Sequence, residues 1–181
     1  MPEFSDRKKY MGSVKEYTKM LDVDPAIDNF RKLGTAMVGD FTNKIGGLPT
    51  RNFSAGTIVE ADEGPFKLGG QFIRKQNLER GGETTHACMP GCMIKCSNIY
   101  ADKHGEEICS PLEYETLGLV GSNCGLTDPD DVARLNDVAN DLGIDTIEMG
   151  ATIGVLMEAG EGKFGDFEFM AQVLEDIRDG T

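Results

Sequence analysis

No apolar run in this 181-residue chain approaches the roughly 18 residues needed to cross a membrane, which excludes a spanning helix from the sequence reading. The N-terminus, Met1-Pro2-Glu3-Phe4-Ser5-Asp6-Arg7-Lys8-Lys9, lacks the apolar core of a secretory leader. Basic residues are scarce, with 18 Lys and Arg against 31 Asp and Glu, giving a formal charge of −13 and a pI near 4.5. Such a surface repels phosphate backbones and argues against nucleic acid as a partner. Cysteines number five, an odd count, and three of them fall within nine residues, so a secreted disulfide framework is also excluded. The expectation is a cytoplasmic protein whose thiols stay reduced. No repeat, low-complexity tract or flexible linker divides the chain, so residues 1–181 read as a single mainly α domain with a real core.

What is present is mostly helical pattern. Ser13 and Glu16 form a capping-box spacing ahead of Val14, Tyr17, Met20 and Leu21, and Asp24-Pro25 is a cap with a first-turn proline ahead of Ile27, Phe30 and Leu33. Gly46-Gly47-Leu48-Pro49-Thr50-Arg51-Asn52-Phe53 interrupts the pattern as an ordered turn. A further helix is expected over Phe66 to Leu78. Ser97 to Glu113 reads as a short hairpin turning near Lys103-His104-Gly105. Asp128-Pro129-Asp130-Asp131 starts a helix that presents Val132, Leu135, Val138, Ala139 and Leu142 and stops at Gly143. Asp145 caps the next, with Glu148 completing the box and Ile147, Ala151, Val155 and Met157 as apolar contacts; Phe167 to Ile177 is the last. The fold class is therefore all-α (multihelical), with at most a short β-hairpin after the cysteine loop.

The chemistry concentrates in Cys88, Cys92 and Cys96. Pro90-Gly91 makes a regular helix there doubtful, so the segment reads as a loop wrapped around a bound object, whose backbone N–H groups are free to bond cluster sulfides. Three clustered thiolates fit an iron–sulfur cluster or, as the rival reading, a structural zinc site; Cys109 and Cys124 are candidates for the fourth ligand of either. The spacing differs from that of radical enzymes using S-adenosylmethionine, which have three and then two intervening residues where this chain has three and three.

Six blocks in order then carry a resemblance: Gly34-Thr35-Ala36; Gly47-Leu48-Pro49-Thr50-Arg51-Asn52-Phe53; the Cys88, Cys92, Cys96 run; Glu113-Tyr114-Glu115-Thr116-Leu117; Gly121-Ser122-Asn123-Cys124-Gly125; and Asn140-Asp141-Leu142-Gly143-Ile144-Asp145-Thr146-Ile147. Over nearly its whole length the chain resembles the tungsten-containing aldehyde ferredoxin oxidoreductases, in particular the first mainly α domain of those longer enzymes. The resemblance implies oxidation of an aldehyde to a carboxylic acid at a tungsten (less often molybdenum) bis-pterin centre, with electrons leaving through a [4Fe–4S] cluster to ferredoxin. It also implies partners in the same enzyme, a β-rich pterin domain before this segment and an α domain after it, and leaves room for a homo-oligomer. The fourth cluster cysteine belongs to the later domain in this reading, so Cys109 and Cys124 are not ligands and the isolated chain is inactive. The alternatives are a free-standing iron–sulfur electron-transfer module and a structural zinc-binding domain.

Two more sites follow from the resemblance. Asn140 to Asp145 is similar to a pterin-binding segment of the form Asp-x-x-Gly-Leu-Asp, with Asn140 standing where the first aspartate is usual; Asp145 is equally a helix cap. Glu113 and Glu115 fall in the block that carries an active-site glutamate, the proton acceptor that aldehyde oxidation needs, with Glu115 favoured. Arg51 is a candidate cofactor-side or interdomain cation, and His86 a polar neighbour of the cluster rather than a ligand. The family commonly has two residues between its first two cysteines, where Cys88 and Cys92 have three.

Overall fold

A computed structural model describes residues 4–60 and 62–180; the reading of a leaderless start rests partly on Met1, Pro2 and Glu3, which lie outside the described residues. The described elements are α1 (Arg7–Asp22), α2 (Pro25–Leu33), α3 (Met37–Ile45), α4 (Gly70–Glu79), β1 (Glu83–His86), β2 (Ser97–Ala101), β3 (Glu107–Cys109), α5 (Tyr114–Thr116), α6 (Pro129–Leu142), α7 (Thr146–Glu158) and α8 (Phe167–Asp179). The chain is mainly α with one small antiparallel sheet, as its pattern predicts. Among the described residues no helix is long and apolar enough to cross a membrane.

Aspartates start most of the long helices. Asp24, Asp128, Asp145 and Asp166 accept from the backbone N–H groups of Ala26, Asp130, Glu148 and Phe169 at 2.8 to 3.1 Å. Each such cap contributes about 1 kcal/mol by satisfying an orphan donor. The expected start at Ser13 is corrected: Asp6 caps α1, accepting from Lys9 at 2.9 Å, so Ser13 and Glu16 lie inside the helix. Val14, Tyr17 and Met20 are exposed rather than packed. The helix expected from Phe66 begins instead at Gly70, where Gly69 is the N-cap and Asp40 on α3, from outside the helix, accepts from the Gln71 N–H at 3.3 Å. Burial of Asp40 raises its carboxyl above the ordinary range, against those backbone donors.

The hairpin over Ser97 to Glu113 forms as β2 and β3, but a further strand, β1, pairs with β2 on its other side. Asn77 of α4, fully buried, stitches the sheet to the helices. Its amide donates to Glu83 and Ile99 carbonyls and accepts from Ala101 at 2.8 Å. On α6 the predicted face is the buried one, with Val132, Leu135 and Ala139 in the core and Val138 and Leu142 packed at its edge. On α7 the inner face is Met149, Gly150, Ile153, Gly154 and Met157; Ile147 and Val155, expected as core contacts, are exposed. Gly150 sits where any Cβ would stand 2.4 Å from the Leu119 backbone, so the inner face is set by close backbone approach instead of by the larger apolar residues.

Candidate functional site

The cysteine loop closes at a defined neck. His86 stands opposite Ser97 across the β1–β2 pair, so residues 87–96 form the connection between those strands. Inside it the Cys92 N–H donates to the Met89 carbonyl at 3.2 Å, and Gly91 takes the left-handed conformation that the Pro90-Gly91 pair suggests. Arg31 on α2 reaches across to donate to the Met93 carbonyl at 3.1 Å while pairing with Asp22 at 3.3 Å. The loop is therefore tied at its base by the sheet and on its flank by an arginine.

Cys88 is exposed, and Cys92 and Cys96 are half-buried. Burial pushes the Cys96 thiol above its ordinary value, with further contributions from Glu113 and from the Cys92 and Cys88 thiols, so the three sulfurs and this carboxylate share one electrostatic neighbourhood. Among the described residues no three His, Cys, Asp or Glu side chains converge tightly enough to hold a metal ion. The donor set itself, three soft thiols on one solvent-open loop, fits three corners of an iron–sulfur cluster once the loop draws in.

Glu113 and Glu115 are separated by their surroundings. Glu113 is half-buried at the N-terminus of α5, where it accepts from the Thr35 hydroxyl, and burial lifts its carboxyl above the ordinary carboxylate range. Glu115 is exposed. The turn that carries them is held by three threonines from three elements. Thr35 accepts from the Tyr114 N–H at 2.9 Å, Thr42 accepts from the Tyr114 hydroxyl at 3.2 Å, and the Thr116 and Thr146 hydroxyl oxygens lie 2.8 Å apart.

That last contact connects the turn to the Asn140–Asp145 loop. Gly143 ends α6 in the left-handed conformation and the Ile144 N–H returns to the Ala139 carbonyl at 3.0 Å, which leaves Asn140 and Asp145 both exposed. Asp145 fills the cap role. A carboxylate with spare lone pairs and an amide beside it can still accept from, and donate to, a planar polar ligand.

The remaining expected residues fall elsewhere. Cys109 and Cys124 are buried in the core, and burial pushes their thiols up to about 11 and about 12. Cys124 donates to the Leu119 and Gly150 carbonyls at 3.4 and 3.3 Å. Buried, protonated thiols are poor ligands, which argues against completing a site from within the chain. His86 pairs with Glu83 at 3.0 Å. Arg51 begins a turn in which Arg51, Asn52 and Phe53 all have positive φ, at 47°, 51° and 59°; its N–H donates to the Ser122 carbonyl at 3.1 Å and its side chain is exposed. Sequence pattern alone does not single out Arg31, and it gives Thr35 and Thr146 no role beyond a motif position. Their roles come from contacts across 62, 78 and 30 residues of chain, which no local periodicity reports.

A three-thiol loop beside a half-buried carboxylate and an exposed polar loop is a donor set of the kind that redox cofactors use. Residues 13–180 match the family model described as aldehyde ferredoxin oxidoreductase, domains 2 & 3. The chain belongs to this oxidoreductase family. It is 31% identical over 158 residues to the tungsten-containing aldehyde ferredoxin oxidoreductases of Pyrococcus horikoshii and Pyrococcus abyssi, covering 86% of this chain and 24% of each relative. To the enzyme of the same description from Thermococcus kodakarensis it is 29% identical over 157 residues, 85% of this chain and 24% of that one. The chain thus spans about a quarter of the length of these curated relatives.

Proposed function

We propose that this chain is one domain of a tungsten aldehyde oxidoreductase, contributing three cluster thiolates, a proton acceptor and a pterin-facing loop to a site completed by other domains of the same enzyme. The observation that carries the reading is Glu113, half-buried and held by Thr35, within electrostatic reach of Cys96 and on the same turn as Thr116, which bonds to Thr146 beside Asp145. Cys88, Cys92 and Cys96 would hold a [4Fe–4S] cluster, with the fourth ligand from outside this chain. Asn140 and Asp145 would meet the amino-pyrimidinone end of a bis-pterin. A tungsten centre held beside this chain would supply the two-electron oxidation of aldehyde to acid, and a cluster on Cys88, Cys92 and Cys96 would supply single-electron transfer toward ferredoxin.

What this chain supplies is positioning and a base. A half-buried carboxylate whose proton affinity is raised by burial is suited to accepting a proton. Glu113 has that environment, and exposed Glu115 is the second candidate. The Cys88–Cys96 loop leaves Cys88 exposed and Cys92 and Cys96 half-buried, so a ligand from a neighbouring domain would approach from the Cys88 side. The reading implies a protein of the cytoplasm that works only with its remaining domains.

The test uses the full-length enzyme. Anaerobic reconstitution with iron and sulfide should give a four-iron cluster that is lost in Cys88→Ser, Cys92→Ser or Cys96→Ser and retained in Cys109→Ser and Cys124→Ser. With tungsten content unchanged, Glu113→Gln should lower aldehyde turnover by about 10² to 10⁴-fold, the usual worth of a general base. A cluster that depends on Cys109 or Cys124 favours the free-standing electron-transfer module instead, and zinc bound in place of iron favours the structural zinc domain.

A further inference from the structure

We infer that Thr116 and Thr146 form a positioning pair that fixes the carboxylate turn relative to the Asn140–Asp145 loop, an inference that rests on the cofactor reading above. Each threonine directly follows a residue assigned to the site, Thr116 after Glu115 and Thr146 after Asp145, and their hydroxyl oxygens meet at 2.8 Å. Thr116 is 5% exposed and its hydroxyl meets that of Thr146, either oxygen being able to donate. A buried hydroxyl deprived of this partner would be left unsatisfied.

The pair is the polar contact nearest the site along the docking of α7 against residues 116–124. Farther along α7, the Gly150 position lies against Leu119 and Val120 with no room for a side chain, and the Asn123 amide and the Cys124 thiol donate to the Gly150 carbonyl. Between these two ends the chain leaves α5 through a π-helical segment, Leu117–Gly121, and the turn carrying Glu113 is closed locally by the Leu117 N–H on the Glu113 carbonyl at 3.0 Å. Thr146 adds a brace from α7. The rest of the clamp, Thr35 and Thr42, holds the same turn from α3 and its leading loop, but neither of them touches the Asn140–Asp145 loop.

The experiment compares Thr116→Val, Thr146→Val and Thr116→Ser in the full-length enzyme. Valine keeps the shape and removes the hydroxyl; serine keeps the hydroxyl. Amide hydrogen exchange in cofactor-free protein should rise about three- to tenfold at residues 113–116 and 146–149 in both valine variants, the worth of one net hydrogen bond, and return to the wild-type rate in Thr116→Ser. In enzyme loaded with tungsten, kcat should fall by roughly tenfold or more with KM little changed, as expected for a displaced catalytic group, and the pH profile should shift. Exchange that rises uniformly over the whole chain, valine variants with unchanged exchange, or a serine variant that fails to restore it would each overturn the pair. An absence of tungsten and pterin from wild-type enzyme would overturn the cofactor reading instead, while the exchange measurements would still report on the pair.

Discussion

A Cβ placed on Gly34 would stand 2.8 Å from the Cys96 backbone carbonyl, closer than real side chains approach. The turn after α2 therefore presses directly on the end of the cysteine loop, and Gly34 also holds a φ of 65° that disfavours any side chain. Thr35, the next residue, holds Glu113. One tight turn thus spaces the Cys96 end of the loop from Glu113. Gly34→Ala should lower stability by about 1 to 3 kcal/mol through overpacking and backbone strain together. Chemical denaturation of the metal-free protein measures that loss, and an unchanged midpoint would remove Gly34 from its spacer role.

The five thiols should react in an order set by their surroundings. With the Cys109 and Cys124 thiols pushed up to about 11 and about 12, only about one part in 10³ or fewer is thiolate at pH 8, and both are buried. Iodoacetamide on metal-free protein should therefore modify Cys88 and Cys92 first and Cys96 more slowly, since burial and neighbouring charge raise its thiol. Cys109 and Cys124 should react only after unfolding. Mass spectrometry of timed digests reads the order directly, and early alkylation of Cys124 would contradict its place in the core.

Much of this was legible in advance where the signal is local. Aspartate-proline at 24–25 and 128–129, and aspartate at 145, predict helix starts because the cap bond is made within three residues. Where a bond from elsewhere meets the helix start, the reading failed: α4 starts at Gly70, within Asp40's reach, and not at Phe66. β1 was missed because Glu83-Thr84-Thr85-His86 has no apolar alternation to mark it. The three thiols and two glutamates of the site were legible as residue types in a family order. The threonines that hold the glutamates were not legible as a clamp, since a hydroxyl bond across the fold leaves no period in the sequence.

Arg31 provides a way to separate the loop's position from its ligands. Its guanidinium bonds the Met93 carbonyl and Asp22, so Arg31→Met keeps the stem and removes both contacts. Cluster content after reconstitution should fall, while the global unfolding transition moves by no more than about 1 kcal/mol, the scale of a partly exposed pair and one hydrogen bond. Equal loss of cluster and of overall stability would mean that Arg31 braces α2 generally and not the loop.

The pH dependence of stability should carry the mark of Asp130. Burial alone would raise its carboxyl, but hydrogen bonds from Arg80 and Tyr100 and the Arg80 charge outweigh it and hold it below the ordinary carboxylate range. Arg80 reaches both carboxylate oxygens, at 2.6 and 3.1 Å, and the Tyr100 hydroxyl donates at 2.6 Å. A depressed folded value means this contribution is whole above the unfolded aspartate value of about 3.9 and is lost as pH falls below it through the folded value. Wild-type protein should therefore lose stability between about pH 4 and the lower folded value more steeply than Asp130→Asn, whose curve should be lower at neutral pH and flatter in acid. Denaturation midpoints taken across that range decide it, and parallel curves would deny Asp130 a part in acid unfolding.

The strained turn makes the opposite kind of prediction, a gain. Arg51, Asn52 and Phe53 hold left-handed backbone in succession, at a cost of roughly 1 to 2 kcal/mol for an ordinary side chain. The strain is held in place by the Asn52 N–H on the Asn123 carbonyl at 2.8 Å and by the Asn52 side chain on Glu158. Phe53 is 66% exposed, so its ring recovers little by burial. Asparagine adopts this conformation more readily and avoids the unfolded-state entropy that glycine would add. Phe53→Asn should therefore raise stability of the separate chain by about 0.5 to 1 kcal/mol. Asn52→Ala, which adds strain and removes the bond to Glu158, should lower it by at least a similar amount. Thermal unfolding of the two variants side by side tests both signs. A loss in Phe53→Asn would mean that the exposed ring makes a stabilising contact which its solvent exposure does not suggest.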